Sequence, residues 1–269
     1  MRRLFLADVH LSPREPARTE RLIRFLAREA PRTDEIYILG DLFDYWIGPK
    51  HLALGDYREA LEALRRVARE RPVFFLIGNR DFYVSRGFEE STGIRVVPGR
   101  TGHRLLVRVP SSKFQVPSER PVCDAVFNLE LETWNLEPPC FQRVYLCHGD
   151  YLEGRSGWGF RIQEFIRSRG FERQFIRLPA FVAKAMAEFY RWLSTRKPRR
   201  SCRMSDGVLE AEFRRGADIV VCGHFHEARR RKIQVDGREA ILFTVGDWSE
   251  GESFLAEEDG RWELHGGVR

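Results

Sequence analysis

The stretch "FLIGNRDFY", residues 75–83, changes character at its centre. Its first three residues are apolar and have the composition of a buried strand end. Asn79, Arg80 and Asp81 come after a glycine and place three polar groups on the turn that follows this strand. Open α/β sheets bind their ligands just outside the carboxyl ends of their strands. The stretch therefore predicts an α/β sheet with a binding site at this turn.

The same arrangement recurs at other strand ends. An apolar run precedes each of the segments Asp8-Val9-His10, Gly40-Asp41-Leu42-Phe43-Asp44, His148-Gly149-Asp150 and Gly223-His224-Phe225-His226. A lone Asp-x-His, or a lone histidine after a strand, is more often a structural feature than a site. Such turns in succession are hard to explain as structural, because each would leave a polar group that needs a partner at the same edge of the sheet.

Short β-rich runs alternate with helical patterns through the first half of the chain, which is typical of an α/β layered domain. One helical face carries Leu22, Ile23, Leu26 and Ala30, and residues 57–70 predict a second amphipathic helix. The predicted strands are residues 3–7, 36–39, 73–77, 94–97, 104–109, 144–147 and 218–222. The C-terminal part predicts antiparallel hairpins instead, with strands 232–235 and 240–245, then 253–256 and 262–264.

Two segments interrupt this pattern. Residues 110–139 contain several prolines and predict an inserted loop or an extra hairpin. Residues 153–215 are helical, with apolar side chains at spacings of three and four, and that periodicity alone favours a plain helical core. We therefore expect a core in two parts, residues 1–152 and 216–269, with the helical segment between them.

Composition and cysteine usage narrow the class of protein. The chain has 269 residues, of which 43% are hydrophobic, so one large domain with an insertion can fill a core. No apolar run approaches the roughly 20 residues of a spanning helix, and the N-terminus enters a strand-like run directly, so we expect a cytoplasmic protein. The five cysteines are scattered without a Cys-x-x-Cys pair, which argues for reduced thiols rather than disulfides or a zinc knuckle.

The net charge of +6 is partly local. The run Arg191 to Arg203, "RWLSTRKPRRSCR", is rich in basic residues and has no acidic one. Such a run suits phosphates, nucleic acid or anionic lipid head groups, and it also suits a solvated basic loop without a ligand. Charge alone leaves these alternatives open.

The strand-end residues have the chemistry of metal ligands. Imidazole, carboxylate and amide groups together suit manganese, iron(II) or zinc rather than calcium, which prefers oxygen alone. The set is too large for one ion and about right for two ions that share a carboxylate. Two such ions activate a bridging water and bind the oxygens of a phosphoryl group. The predicted reaction is metal-assisted hydrolysis of a phosphate ester or anhydride. The predicted ligands are Asp8, His10, Asp41, Asn79, His148, His224 and His226.

The ordered motifs DxH, GDxxD, GN[H/R]D, HGD and GHxH resemble those of the calcineurin-like metallophosphoesterase family and cover residues 8–226. The resemblance implies a four-layer α/β/β/α sandwich. It also implies one metal held by Asp8, His10, Asp41 and His226, and a second held by Asp41, Asn79, His148 and His224. Asp41 would bridge the two ions. Asp44, Asp81 and Asp150 would orient histidines, and for Asp150 capping of its loop is an equal alternative.

Arg80 stands where many members of that family carry a histidine that donates to the reacting phosphate. A forked, always charged guanidinium there suits the extra charge of a diphosphate. The resemblance therefore gives the chemistry at the phosphate to Asn79, Arg80, Asp81 and His148.

The segments LADVHL, ILGDLFDYWIG, GNRDF and HGD resemble one branch of the family more closely. That branch hydrolyses the diphosphate of UDP-2,3-diacylglucosamine in lipid A biosynthesis, yields UMP and 2,3-diacylglucosamine 1-phosphate, and uses manganese. It works at the inner membrane surface and carries a helical cap over its site, to which residues 153–215 would correspond. No nucleic acid partner is expected.

In that interpretation, aromatic side chains of the cap line a groove for acyl chains, and basic side chains meet phosphates or the membrane. The aromatic candidates are Trp158, Phe160, Phe165, Phe181, Phe189 and Trp192, the basic candidates are Lys197, Arg199, Arg200 and Arg203, and Asp150 is a further substrate-binding candidate. The sequence departs from the branch after Asp150, where "YLEGRSGWG" lacks the usual acidic pair, and in the additional segment 110–139.

Two other functions compete with this one. A nuclease or nucleotide phosphatase would use the same metal centre, with the basic run as its nucleic-acid contact. A non-catalytic scaffold would keep the fold for protein binding, and such a protein is expected to lose ligands. All of the predicted ligands are present here, which argues against a scaffold.

Overall fold

The computed structural model describes residues 1–84, 86–97, 102–109, 140–154, 161, 164–196 and 203–266. Within these residues, strands form a six-stranded sheet and a five-stranded sheet. The predicted insertion at residues 110–139 lies outside the described part of the chain.

The first sheet has the strand order β11-β10-β1-β2-β3-β4. Its strands are β1 (Arg2–Leu6), β2 (Glu35–Ile38), β3 (Val73–Phe75), β4 (Arg95–Val96), β10 (Phe254–Glu258) and β11 (Arg261–His265). Strands β1 to β4 run parallel, and β10 pairs with β1 antiparallel. The strand predicted at residues 73–77 is shorter in the structure, where β3 ends at Phe75. The next residue still pairs with β2, because the N–H of Leu76 donates to the carbonyl of Ile38 at 2.8 Å.

The second sheet has the order β5-β6-β7-β9-β8. Its strands are β5 (His103–Val109), β6 (Cys140–Cys147), β7 (Ile219–Cys222), β8 (Arg229–Val235) and β9 (Arg238–Thr244). Strands β6, β7 and β9 run parallel, whereas β8 and β9 form the predicted hairpin. Asp236 and Gly237 turn that hairpin with φ of 50° and 79°, the left-handed conformations that a two-residue turn needs.

The two sheets pack against each other through an apolar layer that includes Phe5, Leu39, Val221 and Phe243. Helices cover the outer faces. They are α1 (Pro16–Glu29), α2 (His51–Leu54), α3 (Arg58–Glu70), α4 (Arg86–Thr92), α5 (Arg169–Arg177), α6 (Ala180–Arg196) and α7 (Asp206–Arg214). The predicted four-layer α/β/β/α sandwich is confirmed.

Helix α1 shows how the sequence builds an outer layer. Pro16 lies in its first turn, where a missing backbone N–H costs nothing. Leu22, Phe25 and Leu26 lie on one face at helical spacing and are buried against the first sheet. The helical face predicted from residues 22–30 is therefore the packed one.

Helices α5 and α6 pack against the same hydrophobic core as α1, on the outer side of the first sheet. Phe175 of α5 stacks on Tyr83 with ring centroids 4.8 Å apart, and Ala183 of α6 is fully buried. Phe181 and Phe189 of α6 are 76% and 63% exposed. The expectation of a plain helical core for this stripe is wrong, because α6 packs through its small alanine face and turns its aromatic face outward.

Helix α7 packs on the outer face of the second sheet, where Leu209 and Phe213 are buried with Val220 and Leu242. The division of the chain into a two-part core and a helical cap at residues 153–215 stays a prediction. Among the described helices, none combines the length and the apolar character that crossing a membrane requires.

Candidate metal centre

The predicted ligand turns meet at one edge of the two sheets. Parallel pairing aligns Leu6 with Ile38 and Ile38 with Phe75, so the turns after β1, β2 and β3 emerge side by side. In the second sheet, Cys147 is aligned with Cys222, which brings the turns after β6 and β7 together. The topology thus gathers all five predicted turns at carboxyl strand ends.

The backbone at these turns is unusual. Five of the predicted ligands have left-handed φ values: Asp8 (52°), His10 (50°), Asp41 (52°), His224 (70°) and His226 (59°). Non-glycine residues adopt this region rarely, and it concentrates at functional sites where the surroundings enforce it. The turns also approach each other so closely that a Cβ on Gly78 would lie 2.3 Å from Oδ1 of Asp41. Glycine is required at that position.

One group of candidate ligands comprises Asp8, His10 and His226. Oδ1 of Asp8 lies 3.9 Å from Nε2 of His10 and 3.8 Å from Nε2 of His226. The two histidine Nε2 atoms are 3.4 Å apart. Three donor atoms that face each other at such distances have the arrangement of a metal site.

A second group comprises Asp8, Asp41 and His148. Nε2 of His148 lies 3.6 Å from Oδ1 of Asp41, and Nε2 of His10 lies 4.0 Å from Oδ2 of the same carboxylate. Asp41 therefore lies near a histidine of each group, and its bridging role stays a prediction. Asp8 also contributes to both groups, a feature that the sequence did not predict.

Asn79 and His224 complete the cluster. Nδ2 of Asn79 lies 3.0 Å from Nδ1 of His224, and the backbone N–H of His224 donates to Oδ2 of Asp8 at 2.6 Å. The rings of His148 and His224 have centroids 5.1 Å apart. The structure therefore brings all of the predicted ligands together.

Several buried donor atoms at this edge lack a hydrogen-bond partner: Asp8 Oδ1, His10 Nδ1, His148 Nε2 and His224 Nε2. For His224 Nε2, Oε1 of Glu153 is 3.1 Å away, but the pair falls short of the alignment of a formed hydrogen bond. Buried polar atoms are normally paired, so the unpaired Oδ1 of Asp8 and Nε2 of His148, which both face other candidate ligands, fit bound cations. The chemistry of the cluster suits two divalent metal ions.

Electrostatics also favour cations here. Burial raises the pKa of Asp8. Burial would also raise the pKa of Asp41, but His148, His10 and Arg80 outweigh it and hold that pKa at about 2. Burial would lower the pKa of His148, yet Asp41 and Asp8 raise it to about 9. Closely spaced carboxylates thus create a field that attracts positive charge.

The predicted histidine-orienting aspartates have other partners. Asp81 is fully buried and accepts the backbone N–H of Leu42 at 2.8 Å and that of Gly78 at 2.9 Å. Asp44 lies 3.5 Å from Arg80 and 3.5 Å from Arg191. The prediction that these two orient histidines is wrong, because Asp81 ties two turns together through their backbones and Asp44 pairs with cations.

Asp150 accepts a hydrogen bond from the guanidinium of Arg167 at 2.6 Å. This pair ties the turn after His148 to the helical segment. Burial would raise the pKa of Asp150, but His148 and Arg167 lower it. Its role in binding substrate stays a prediction.

Other acceptors contact the histidines. Nδ1 of His148 lies 2.9 Å from the carbonyl of Leu39, and Nδ1 of His226 lies 3.2 Å from Oδ2 of Asp247. Asp247 was missed, although Val245-Gly246-Asp247 follows β9 with the same apolar-glycine-aspartate signature as β2. Glu153 was also missed, and no local signal marks it.

The structure describes some of the side chains that were predicted to bind substrate. The Arg80 side chain is 24% exposed at the rim of the metal centre. Phe165, Phe181, Phe189 and Trp192 are exposed on the helical segment, and Arg203 is exposed after it. The remaining candidates lie outside the described residues: Trp158, Phe160, Lys197, Arg199 and Arg200.

Comparisons with known proteins agree with this geometry. The family model for calcineurin-like phosphoesterases matches residues 1–228. A UDP-2,3-diacylglucosamine hydrolase of Xanthomonas campestris pv. campestris is 31% identical, covering 95% of this chain and 94% of that protein. The equally named protein of Stenotrophomonas maltophilia is 29% identical over 98% of both chains, and that of Coxiella burnetii is 26% identical over 97% of this chain and 96% of its own.

Proposed function

The chain belongs to the calcineurin-like phosphoesterase family, and from this premise we propose that it hydrolyses the diphosphate of UDP-2,3-diacylglucosamine. The products are UMP and 2,3-diacylglucosamine 1-phosphate, so the reaction belongs to lipid A biosynthesis. The general class is metal-dependent hydrolysis of a phosphoric ester or anhydride. Similarity to named UDP-2,3-diacylglucosamine hydrolases along nearly the whole chain supports the specific substrate.

The observation that carries this proposal is the position of Arg80. Its backbone N–H donates to Oδ1 of Asp41 at 2.8 Å, so the residue is anchored on the central carboxylate of the metal cluster. Its guanidinium lies 3.5 Å from Asp44 and reaches the rim of the site. A planar, permanent cation with several N–H donors matches the adjacent phosphates of a diphosphate better than the single phosphate of a monoester.

We propose that the two metal ions are manganese. They would be held by Asp8, His10, Asp41 and His226 on one side and by Asp41, Asn79, His148 and His224 on the other. When bound, such ions lower the pKa of a bridging water and neutralise phosphoryl charge. Mixed nitrogen and oxygen donors without a thiolate suit manganese.

The side chains of this chain then perform distinct tasks. Arg80 binds and orients the diphosphate, and Asn79 and His148 lie beside it at the metal edge. Asp81 holds the turns of Asp41 and Asn79 together through the N–H groups of Leu42 and Gly78. This rigidity fixes the ligand geometry before substrate arrives, so that binding requires little rearrangement.

We further propose that the outward aromatic face of α6 receives the acyl chains. Phe181 and Phe189 are exposed, and Trp192 stacks on Phe189 with centroids 5.7 Å apart. Exposed large apolar side chains gathered on one face mark binding surfaces. The basic run that ends at Arg203 would meet anionic head groups, and we therefore propose that the protein works at the cytoplasmic face of the inner membrane.

Manganese-dependent release of UMP from UDP-2,3-diacylglucosamine tests this function, with bis-p-nitrophenyl phosphate and single-stranded DNA offered to the same preparation. Selective release of UMP is expected. Turnover of only the generic diester or of DNA would contradict the proposed substrate and would indicate a nuclease or phosphatase instead.

Matched variants of α6 test the acyl-chain surface. Phe189→Ser is expected to raise KM for the diacylated substrate and to leave turnover of bis-p-nitrophenyl phosphate unchanged. Met186→Ser is the control, because Met186 is exposed on the same helix but lies outside the aromatic stripe. Equal effects of the two substitutions would contradict acyl binding at this face.

A further inference from the structure

Glu153 is a buried carboxylate that the family motifs do not include. It ends the short 3₁₀ helix Asp150–Glu153 that follows His148-Gly149. Its side chain is only 3% exposed, and burying a carboxylate is costly unless a partner compensates for the lost water. One contact of that side chain is with His224, whose Nε2 lies 3.1 Å from Oε1.

The backbone that carries Glu153 is fixed on both sides. Gly149 and Gly154 flank the 3₁₀ helix with left-handed φ values of 115° and 61°. Leu152 is fully buried in the outer layer of the second sheet, and its carbonyl accepts the N–H of Ser205 at 2.7 Å. Glu153 therefore reaches His224 from a rigid turn and not from a loose surface loop.

The opposite edge of the His224 imidazole ring, which carries Nδ1, points into the metal centre. Nδ1 lies 3.0 Å from Nδ2 of Asn79, so this nitrogen is the one placed among the ligands. A neutral imidazole has one N–H and one lone pair, and the hydrogen bond made by one nitrogen decides which nitrogen is left to bind a metal. An acceptor at Nε2 selects the form in which Nδ1 carries the lone pair.

His148 and His226 show the opposite arrangement. Their Nδ1 atoms face the carbonyl of Leu39 and the carboxylate of Asp247, and their Nε2 atoms face Asp41 and Asp8. His224 alone among these three turns Nδ1 inward. It therefore needs an acceptor on its Nε2 side, and Glu153 occupies that position.

We propose that Glu153 is a positioning residue that accepts the Nε2–H of His224 and so holds Nδ1 in its metal-binding form. The 3.1 Å separation is within hydrogen-bond range, although the alignment in the present structure falls short of a formed hydrogen bond. The proposal rests on the metal-dependent function proposed above and is independent of the lipid substrate.

The first test is the tautomer of His224, read without metal or substrate from long-range ¹H–¹⁵N spectra of the histidine side chains. The wild-type protein is expected to show His224 with Nε2 protonated and Nδ1 unprotonated. Glu153→Ala should produce a mixture of tautomers at His224 and leave His148 unchanged. Glu153→Gln should keep the wild-type form, because its amide oxygen still accepts the N–H. An unchanged His224 signal in Glu153→Ala overturns the proposal.

The second test is manganese binding by calorimetry with the same proteins. Glu153→Ala should weaken one of the two binding events by about 10- to 100-fold, as loss of a carboxylate behind a ligating histidine commonly does. Glu153→Gln should recover most of this loss. Glu20→Ala, at an exposed glutamate of α1, is the matched control and should bind as the wild type does. Equal binding by all variants overturns the proposal, whatever substrate the enzyme turns over.

Discussion

The backbone N–H of Arg80 donates to Oδ1 of Asp41 at 2.8 Å, so the turn that carries the guanidinium rests on the carboxylate between the two ligand groups. This contact belongs to the main chain and survives truncation of the Arg80 side chain. Removal of the Arg80 side chain is thus expected to weaken diphosphate binding and to leave the metal ligands in place.

Arg80→Ala is therefore expected to retain both metal ions and to lose rate on a diphosphate. A lost charge-assisted contact to phosphate is worth about 1.5–3 kcal/mol, which corresponds to about 10- to 160-fold in kcat/KM. Metal content and turnover measured on one preparation check this. Asp41→Ala is the comparison and should lose metal as well as turnover. A fully active Arg80→Ala variant would show that the arginine does not serve the diphosphate.

Asp81 joins the turns after β2 and β3 by accepting the N–H groups of Leu42 and Gly78. Asp81→Ala leaves two buried donors unpaired, and each costs about 1–3 kcal/mol of unfolding free energy. Urea unfolding of metal-free protein measures the loss. Asp206→Ala, at an aspartate whose side chain is 72% exposed, is the control and should change stability little. Equal stability of the two variants would contradict the role of Asp81.

Asp44 lies between Arg80 and Arg191, at 3.5 Å from each, and Arg191 belongs to α6. This arrangement links the helical segment to the arginine at the metal edge. Asp44→Ala is expected to lower kcat on the order of tenfold, and its effect should not add to that of Arg191→Ala, because both remove the same link. A double-mutant cycle on kcat checks the coupling. Strictly additive effects would mean that the link does not exist.

Glu29 gives stability a pH dependence far from the metal centre. Its side chain is 3% exposed, and although burial would raise its pKa, hydrogen bonds from Arg32, Arg2 and Arg28 lower it to about 2. Because the folded-state pKa lies below the unfolded-state value of about 4.5, this stabilisation is present above pH 4.5 and is lost as the pH falls toward 2.

Glu29→Gln should therefore be less stable than the wild type near neutral pH, and the difference should shrink as the pH falls from about 4.5 to 2. Unfolding free energies of both chelator-treated proteins across this range provide the measurement. A difference that stays constant with pH would show that ionisation of Glu29 contributes nothing.

Local sequence predicted which polar side chains gather at this edge, because each of them follows an apolar run that ends at a strand terminus. Asp8, Asp41 and His148 were therefore found together with the edge of the sheet on which they lie. This prediction did not require the order of the strands in the sheet, because parallel strands have their carboxyl ends at the same edge.

Partners that depend on tertiary packing were not predictable in this way. Asp44 was expected near a histidine, and its actual partner Arg191 lies on a distant helix. Glu153 reaches His224 through a 3₁₀ turn that no periodicity announces. The direction of α6 was also missed, since periodicity groups its aromatic residues on one face but does not say whether that face or the alanine face packs inward.

The central claim is that this diphosphate hydrolase uses two metal ions that share Asp41. Its most direct test adds manganese back to chelator-treated protein, one equivalent at a time, and measures UMP release from UDP-2,3-diacylglucosamine. Turnover is expected to be negligible without metal, to rise to a plateau at two equivalents per chain, and to stay negligible in Asp41→Ala at any manganese concentration. Full turnover by the metal-free protein or by Asp41→Ala would contradict the account.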